Sequence, residues 1–466
     1  MPDRHLFTLF LLIIIWVPLP AGSNWPWAVV VLQMLVFALA FGWLFLFRKE
    51  KVIVTRPLLK AKPVVIMLVI WLCWVLMQII PIPVTLVEIL SPHTVQLTHD
   101  ARQVISQDSG FLSLSVDPYQ TFQKLMLSTA LVAFFLLALV LLNSRERIKL
   151  TLWVIVCSAL FQAVFGSLMT LSGVEYHLFG PKQHYLDVAT GTFINRNHLA
   201  GYLVMSIAMG IGLMLSQMKL KKYHSLRQLA RDWVGVMLGK KMQLRIILAI
   251  LVIGLVMTHS RMGNSAFFIS LLACSILWVF LSGQRIEKSA IALFVSLIII
   301  DLYIVGAWFG FDKVIERLEG TSIATESRDE VVISLVKAIG EFGFSGSGLG
   351  TFKTVYPLYK DNDMRNSYLY AHNDYLQFIL EGGLAVVLLF GVVAMTILAS
   401  YKAMRARKDP LYRGMGFASL MGIMAILIHS TVDFNLQIPA NAMMFMLLLS
   451  FAWIGCYGLD AERQNN

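Results

Sequence analysis

The sequence predicts an all-α protein, a polytopic membrane bundle of about a dozen transmembrane helices with one long, partly helical loop on its outer side. Hydrophobic residues fill 58% of the 466 positions and only 14% are charged. A soluble globular chain has roughly 45–50% apolar and about 25% charged residues. The excess falls in runs of about 17–25 residues, enough to cross a hydrocarbon core about 30 Å thick. The basic residues between those runs are distributed unequally over alternate loops.

In chain order the runs are 6–20, 27–47, 63–81, 122–142, 150–172, 192–216, 244–258, 263–282, 289–309, 374–400, 414–430 and 442–458. The first follows Arg4 and His5 as a signal peptide would. Pro18 and Pro20, however, lead into Asn24-Trp25-Pro26-Trp27 and not into a small-residue cleavage site, so it reads as an anchor. Four segments follow: N-terminal helices and a first outer loop (1–121), central helices (122–309), a long outer loop (310–373) and C-terminal helices (374–466). Outer loops also occupy 82–121 and 173–191. Loops beyond about 12–15 residues are often functional. Inside the longest, Arg328, Val331, Val332, Leu335, Val336 and Ile339 recur at helical spacing and predict an amphipathic helix.

With the N-terminus inside, about two thirds of the 38 Lys and Arg fall on inner segments, the asymmetry expected of cytoplasmic loops. The net charge of +11 then faces anionic lipid, and no nucleic-acid partner is called for. Cys73, Cys157, Cys274 and Cys456 all sit in apolar runs, with no CxxC pair. Neither a GxxxxGK[ST] loop nor an HExxH motif occurs, which speaks against ATP-driven pumping and a zinc site; no metal and no cofactor are expected.

Ionisable groups at membrane level are costly and are functional candidates by default. Five stretches carry them, all on the outer side. Ala371-His372-Asn373-Asp374 opens the run at 374–400; a histidine at a helix N-terminus is favoured in its neutral form, the form a general base needs, and Asp374 opposes that shift. Thr258-His259-Ser260-Arg261 forms a tight turn, where Arg261 suits bidentate contact with phosphate or a snorkelling role. Arg328 opens the loop helix amid acidic neighbours and alone reads as a solvated ion pair. Asn195-Arg196-Asn197-His198 begins another run with donors suited to phosphate or sugar, or to interfacial anchoring. His429-Ser430-Thr431-Val432-Asp433 offers Asp433 as a partner for an arginine or for His372, or simply as a turn cap.

At these residues the chain resembles the O-antigen ligase and polymerase family. The matching stretches are GTFINRNHLAGYL (191–203), THSRMG (258–263), the Arg328 helix with GFSGSGLGTF (343–352), AHNDYLQFILEGG (371–383) and HSTVDFNLQIPAN (429–441). Met262 departs from the glycine that related chains often carry, and leaves Arg261 in place. The resemblance implies a helical bundle related to the GT-C glycosyltransferases, set in the bacterial inner membrane with its site and long loop facing the periplasm. It implies transfer of a glycan from undecaprenyl diphosphate to an acceptor hydroxyl, on lipid A–core or on another glycan. His372, Arg261 and Arg328 would be catalytic. Arg196, Asn197, His198, Asn373 and Asp433 are read as substrate-binding. A polymerase using the same donor is one alternative; a transporter or flippase, from another class, is the other.

Overall fold

The computed structural model describes residues 2–105, 110–217, 240–282, 290–291, 293–299, 322–360 and 368–458, with the backbone alone at 99–105, 240–241 and 322–330. Its helices are α1 (Arg4–Trp16), α2 (Pro26–Arg48), α3 (Arg56–Lys60), α4 (Lys62–Ile79), α5 (Val84–Leu90), α6 (Pro92–Ile105), α7 (Pro118–Leu141), α8 (Arg145–Ser172), α9 (Arg196–Ser216), α10 (Lys240–Met257), α11 (Arg261–Ser282), α12 (Ser322–Phe342), α13 (Phe352–Val355), α14 (Asp374–Gly382), α15 (Val386–Ala406), α16 (Pro410–His429) and α17 (Pro439–Tyr457). Two small antiparallel pairs lie in outer loops: β1 (Ile82–Pro83) with β2 (Phe111–Leu112), and β3 (Tyr176–His177) with β4 (Gly180–Pro181).

Local chemistry sets the boundaries. Side chains of Asp117, Ser144, Asn195, Asn373 and Asp409 accept from backbone N–H groups in the first turns of α7, α8, α9, α14 and α16. Pro26, Pro118, Pro410 and Pro439 stand at first helical positions, where no N–H is required. Gly173, left-handed at φ 69°, ends α8.

Among the described residues, nine helices are long and apolar enough to cross a membrane, counting α14 and α15 together. The architecture is the all-α polytopic bundle that the sequence predicts. α9 is its centre, buried almost throughout and wrapped by α8, α10, α11, α16 and α17. It crosses α16 at Gly212 and Gly414; a Cβ on Gly212 would stand 2.4 Å from the Gly414 carbonyl oxygen. Such close approach needs small residues, the usual packing device between membrane helices.

The run at 6–20 becomes α1, only 13 residues long and ended at Trp16 before Pro18 and Pro20. The run at 244–258 is also a shorter apolar helix, and of that at 289–309 only helical residues 290–291 and 293–299 are described. The run at 374–400 is broken at Gly382–Gly383, where Gly383 has φ 58° and ψ −144°. α15 alone, at 21 residues, is about 31 Å long and sufficient to span. α14 lies across the end of the bundle. Asp374 bonds to Ser430 at the end of α16, and the Gly382 carbonyl accepts from the Trp74 indole near the end of α4. On α12 the buried stripe is Val331, Ser334, Leu335, Ala338 and Phe342; Val332 and Val336, expected inward, are exposed. They lie about 100° further round the helix than Val331 and Leu335.

Candidate active site

The starts of α9, α11 and α17 and the ends of α4 and α16 meet at one end of the bundle, and the sequence-predicted residues gather there. The loop after α16 carries Asp433, whose side chain is 1% exposed. Three imidazoles face its carboxylate. His372 Nδ1 and His198 Nε2 stand 3.8 and 3.9 Å from Oδ1, and His429 Nε2 stands 3.9 Å from Oδ2. These separations exceed a hydrogen bond but keep each ring within the electrostatic reach of the anion. Of the three, His372 alone is substantially open, at 21% exposure.

His372 precedes α14 instead of sharing its first turn, because Asn373 is the cap: its Oδ1 accepts from Leu376 N at 3.1 Å. The backbone of His372 is left-handed, φ 51°. For a residue with a Cβ this costs about 1 kcal/mol or more and persists only when the surroundings over-determine it. Here they do. Ala371 N donates to Gln377 Oε1 (3.1 Å) and Asn373 Nδ2 donates to the Thr431 carbonyl (3.0 Å). Asp374 N donates to the Ser430 carbonyl (3.0 Å), while its Oδ2 accepts from Ser430 Oγ (2.8 Å) and Leu436 N (3.1 Å). Asn373 and Asp374 thus lace the segment after the histidine to the loop after α16, while Ala371, before it, is tied to α14.

Aromatic rings complete the frame. Phe434 meets His198 and His372 edge-on, with centroids at 4.6 and 4.7 Å, and stacks on Tyr370 at 4.4 Å. Burial pushes the Tyr370 phenol above its ordinary pKa, so it stays a neutral donor at physiological pH. His198 is fixed from behind, since its carbonyl accepts from Asn441 Nδ2 at 3.0 Å and Asn441 also donates to Asn435 Oδ1 at 2.9 Å. Gly201 makes room for that pair: a Cβ there would stand 2.2 Å from Asn435 Oδ1.

The remaining candidates lie on neighbouring elements. Arg196, the first residue of α9, is half-buried with its guanidinium 5.9 Å from the Tyr185 ring centre, and Asn197 follows it, half-buried. Arg261 is exposed at the first position of α11. Its turn abuts α9 through Gly263, where a Cβ would lie 2.6 Å from Ala200 Cβ. Arg328 is in α12, which packs on α14 through Val331, Leu335, Ala338 and Leu380; the Arg328 side chain lies outside the described part. Among the described residues no group of three His, Cys, Asp or Glu side chains is placed to hold a metal ion.

Sequence reasoning gave His429, in its candidate stretch, no role beside Asp433, and it did not single out a second cluster beside the site. His429 lies four residues before Asp433, a helical spacing that was readable. The second cluster centres on Lys124, whose Nζ donates to Gln437 Oε1 at 3.1 Å and lies 5.8 Å from the Tyr370 ring centre. Its charge acts on the buried carboxylates of Asp374 and Glu381. Glu381 Oε1 accepts from Gln377 Nε2 (3.0 Å) and Phe352 N (3.2 Å). A lysine six residues into an apolar helix was the available signal. Beneath α14 lies an apolar cavity of about 160 Å³, lined by Leu68, Trp71, Leu131, Phe378 and Phe445, with Asp374 at one end.

No curated protein matches the chain. Residues 246–391 match the family model described as O-Antigen ligase. Over that stretch, which carries Arg261, Arg328 and His372, the chain is similar to the O-antigen ligase family.

Proposed function

We propose that the protein is a metal-independent, inverting glycosyltransferase of the O-antigen ligase type. It moves a glycan from undecaprenyl diphosphate to a hydroxyl of lipid A–core, at the periplasmic face of the bacterial inner membrane. The observation that carries this reading is His372, half-open and backed by the buried Asp433 carboxylate. Nδ1 faces Asp433, and Nε2 is assigned to the acceptor hydroxyl. The hydroxyl oxygen attacks the anomeric carbon, its proton passes to Nε2, and the bond to the diphosphate oxygen breaks with the electron pair leaving on phosphate. Asp433 stabilises the imidazolium that forms, as a carboxylate does behind any histidine base. Such general-base help contributes about 10²–10⁴-fold.

Arg261 and Arg328, with Arg196, hold the diphosphate and offset its growing charge, an electrostatic role that is often the largest catalytic term. Asn197, His198 and Asn373 line the substrate side. The apolar cavity under α14 has room for part of a prenyl or acyl chain. The test is deletion of the gene in its host, with the surface glycan and the lipid-linked pool examined together. Long polymer retained on undecaprenyl diphosphate with bare lipid A–core supports a ligase. Single repeat units in place of polymer would make it a polymerase, and no change in either pool would point to a transporter.

A further inference from the structure

The segment from Val174 to Asp187 is a hairpin built inside out. Its ladder is two residues long on each side, Tyr176 opposite Pro181 and His177 opposite Gly180. A ladder so short does not hold itself together in water. What holds it is polar and internal. Lys182 pairs with Glu175 Oε2 and donates to the Val188 carbonyl at 2.9 Å, and Glu175 Oε1 accepts from Asp187 N at 2.9 Å. The Lys182 side chain is 1% exposed. The apolar side chains turn outward instead: Phe179 is 56% and Leu186 53% exposed, with Tyr176 and Leu178 beside them. In water the usual sense is the reverse, with ammonium groups out and rings in.

The surroundings account for the inversion. Phe179 meets Trp25 and Trp27 with ring centres at 5.2 and 6.4 Å, where α2 begins. Below it, Val30 and Met34 on α2 and Leu168 and Leu171 on α8 are exposed apolar residues of membrane-spanning helices. Tyr176, Leu178, Phe179 and Leu186 on the hairpin adjoin that surface, while Gln183, His184 and Asp187 are exposed on the same segment. Trp and Tyr gather where a protein meets the membrane–water boundary.

We infer that the β3–β4 hairpin is embedded in the headgroup–acyl boundary of the bilayer, rings in lipid and ion pair inward. The occupant of its outer face is lipid. A glycan platform is less well matched, because Trp25 and Trp27 present edges to Phe179, at interplanar angles of 64° and 82°, and not an open row of ring faces. At the far side of the hairpin Tyr185 lies under the Arg196 guanidinium. Embedding then sets Arg196 at the height of lipid phosphates, a consequence that rests on the proposed role of Arg196; the embedding itself does not.

The test uses the full chain in phosphatidylethanolamine–phosphatidylglycerol bilayer discs, with Cys73, Cys157, Cys274 and Cys456 replaced by alanine. An environment-sensitive fluorophore is attached at Phe179→Cys and, separately, at Leu178→Cys. Lipid-facing Met34→Cys and water-exposed Lys353→Cys serve as references. Quenching by spin-labelled lipid within about twofold of that at position 34, with little quenching by iodide, is the expected result. Iodide quenching equal to that at position 353 overturns the inference. So does shielding from both quenchers, which means protein covers the face, and so does iodide protection that appears only on adding soluble oligosaccharide. Glycan transfer enters none of these readings, so the failure of one proposal leaves the other standing.

Discussion

Asp433 Oδ1 stands 3.8 Å from His372 Nδ1 and 3.9 Å from His198 Nε2, so one buried carboxylate serves imidazoles from the loop before α14 and from the first turn of α9. If it orients His372 and stabilises its charged form, Asp433→Asn should lower transfer by about 10²–10⁴-fold with substrate binding little changed. The double variant with His372→Ala should be no worse than the poorer single variant, since residues acting as a unit do not add. Purified variants assayed with a lipid-linked glycan check this. Additive losses would mean that the two residues act separately.

Arg261 is exposed at the head of α11 and is not packed into the core. A lysine there keeps the charge but loses the planar fork that grips phosphate oxygens. Arg261→Lys should therefore lose about tenfold or more in transfer while melting like the wild type. Unchanged kinetics would remove Arg261 from the diphosphate site.

Gly383 breaks the run that begins at α14. Its φ is 58°, and an added Cβ would stand 2.1 Å from the Phe344 carbonyl oxygen. Gly383→Ala should destabilise the protein by about 2–3 kcal/mol, combining backbone strain with the clash. Thermal unfolding in detergent measures it. A normal melting curve would show that α14 and α15 fuse into one helix without cost.

Lys124 is a cation whose charge acts on the buried carboxylates of Glu381 and Asp374. Lys124→Met removes it and leaves those carboxylates uncompensated, for a loss of about 3 kcal/mol. The combined variant Lys124→Met with Glu381→Gln should recover part of that loss. Equal melting of the single and combined variants would show that the charges are not coupled.

At the opposite end of the bundle Asp3 bonds to Arg147 at 2.7 and 2.9 Å, and the guanidinium holds its carboxyl below the ordinary value of 3.8. A depressed carboxylate pKa contributes stability that is present above the unfolded value and lost as pH falls through the folded one. Asp3→Asn should cost about 2–3 kcal/mol at pH 7, because it leaves the buried Arg147 guanidinium without its counter-charge. The gap between variant and wild type should close as pH drops below 3.8. A gap independent of pH would assign the effect to packing.

The bundle was legible because lipid imposes long apolar runs and satisfied backbones, a pattern written along the chain. Its exceptions trace to backbone chemistry that hydropathy does not report. Pro18 and Pro20 shorten α1, and the crossing of Gly346 with Gly383 interrupts the tenth run. The candidate residues His372, His198 and Asp433 stood out one by one, because they are polar where polarity is costly. Their convergence on one carboxylate was not, since it joins positions 198, 372 and 433, distant in sequence. Lys124 and Glu381 were passed over because each looks isolated in its own helix; only the packing of α7 against α14 and the Gly343–Gly350 stretch makes them a set.

The most direct test of the account is the transfer rate of His372→Ala in a bilayer with a defined lipid-linked glycan and acceptor, alongside donor binding by the same preparation. A rate lowered by about 10²–10⁴-fold with donor binding retained is the expected result. A near-wild-type rate would contradict it and leave the histidine as part of the frame.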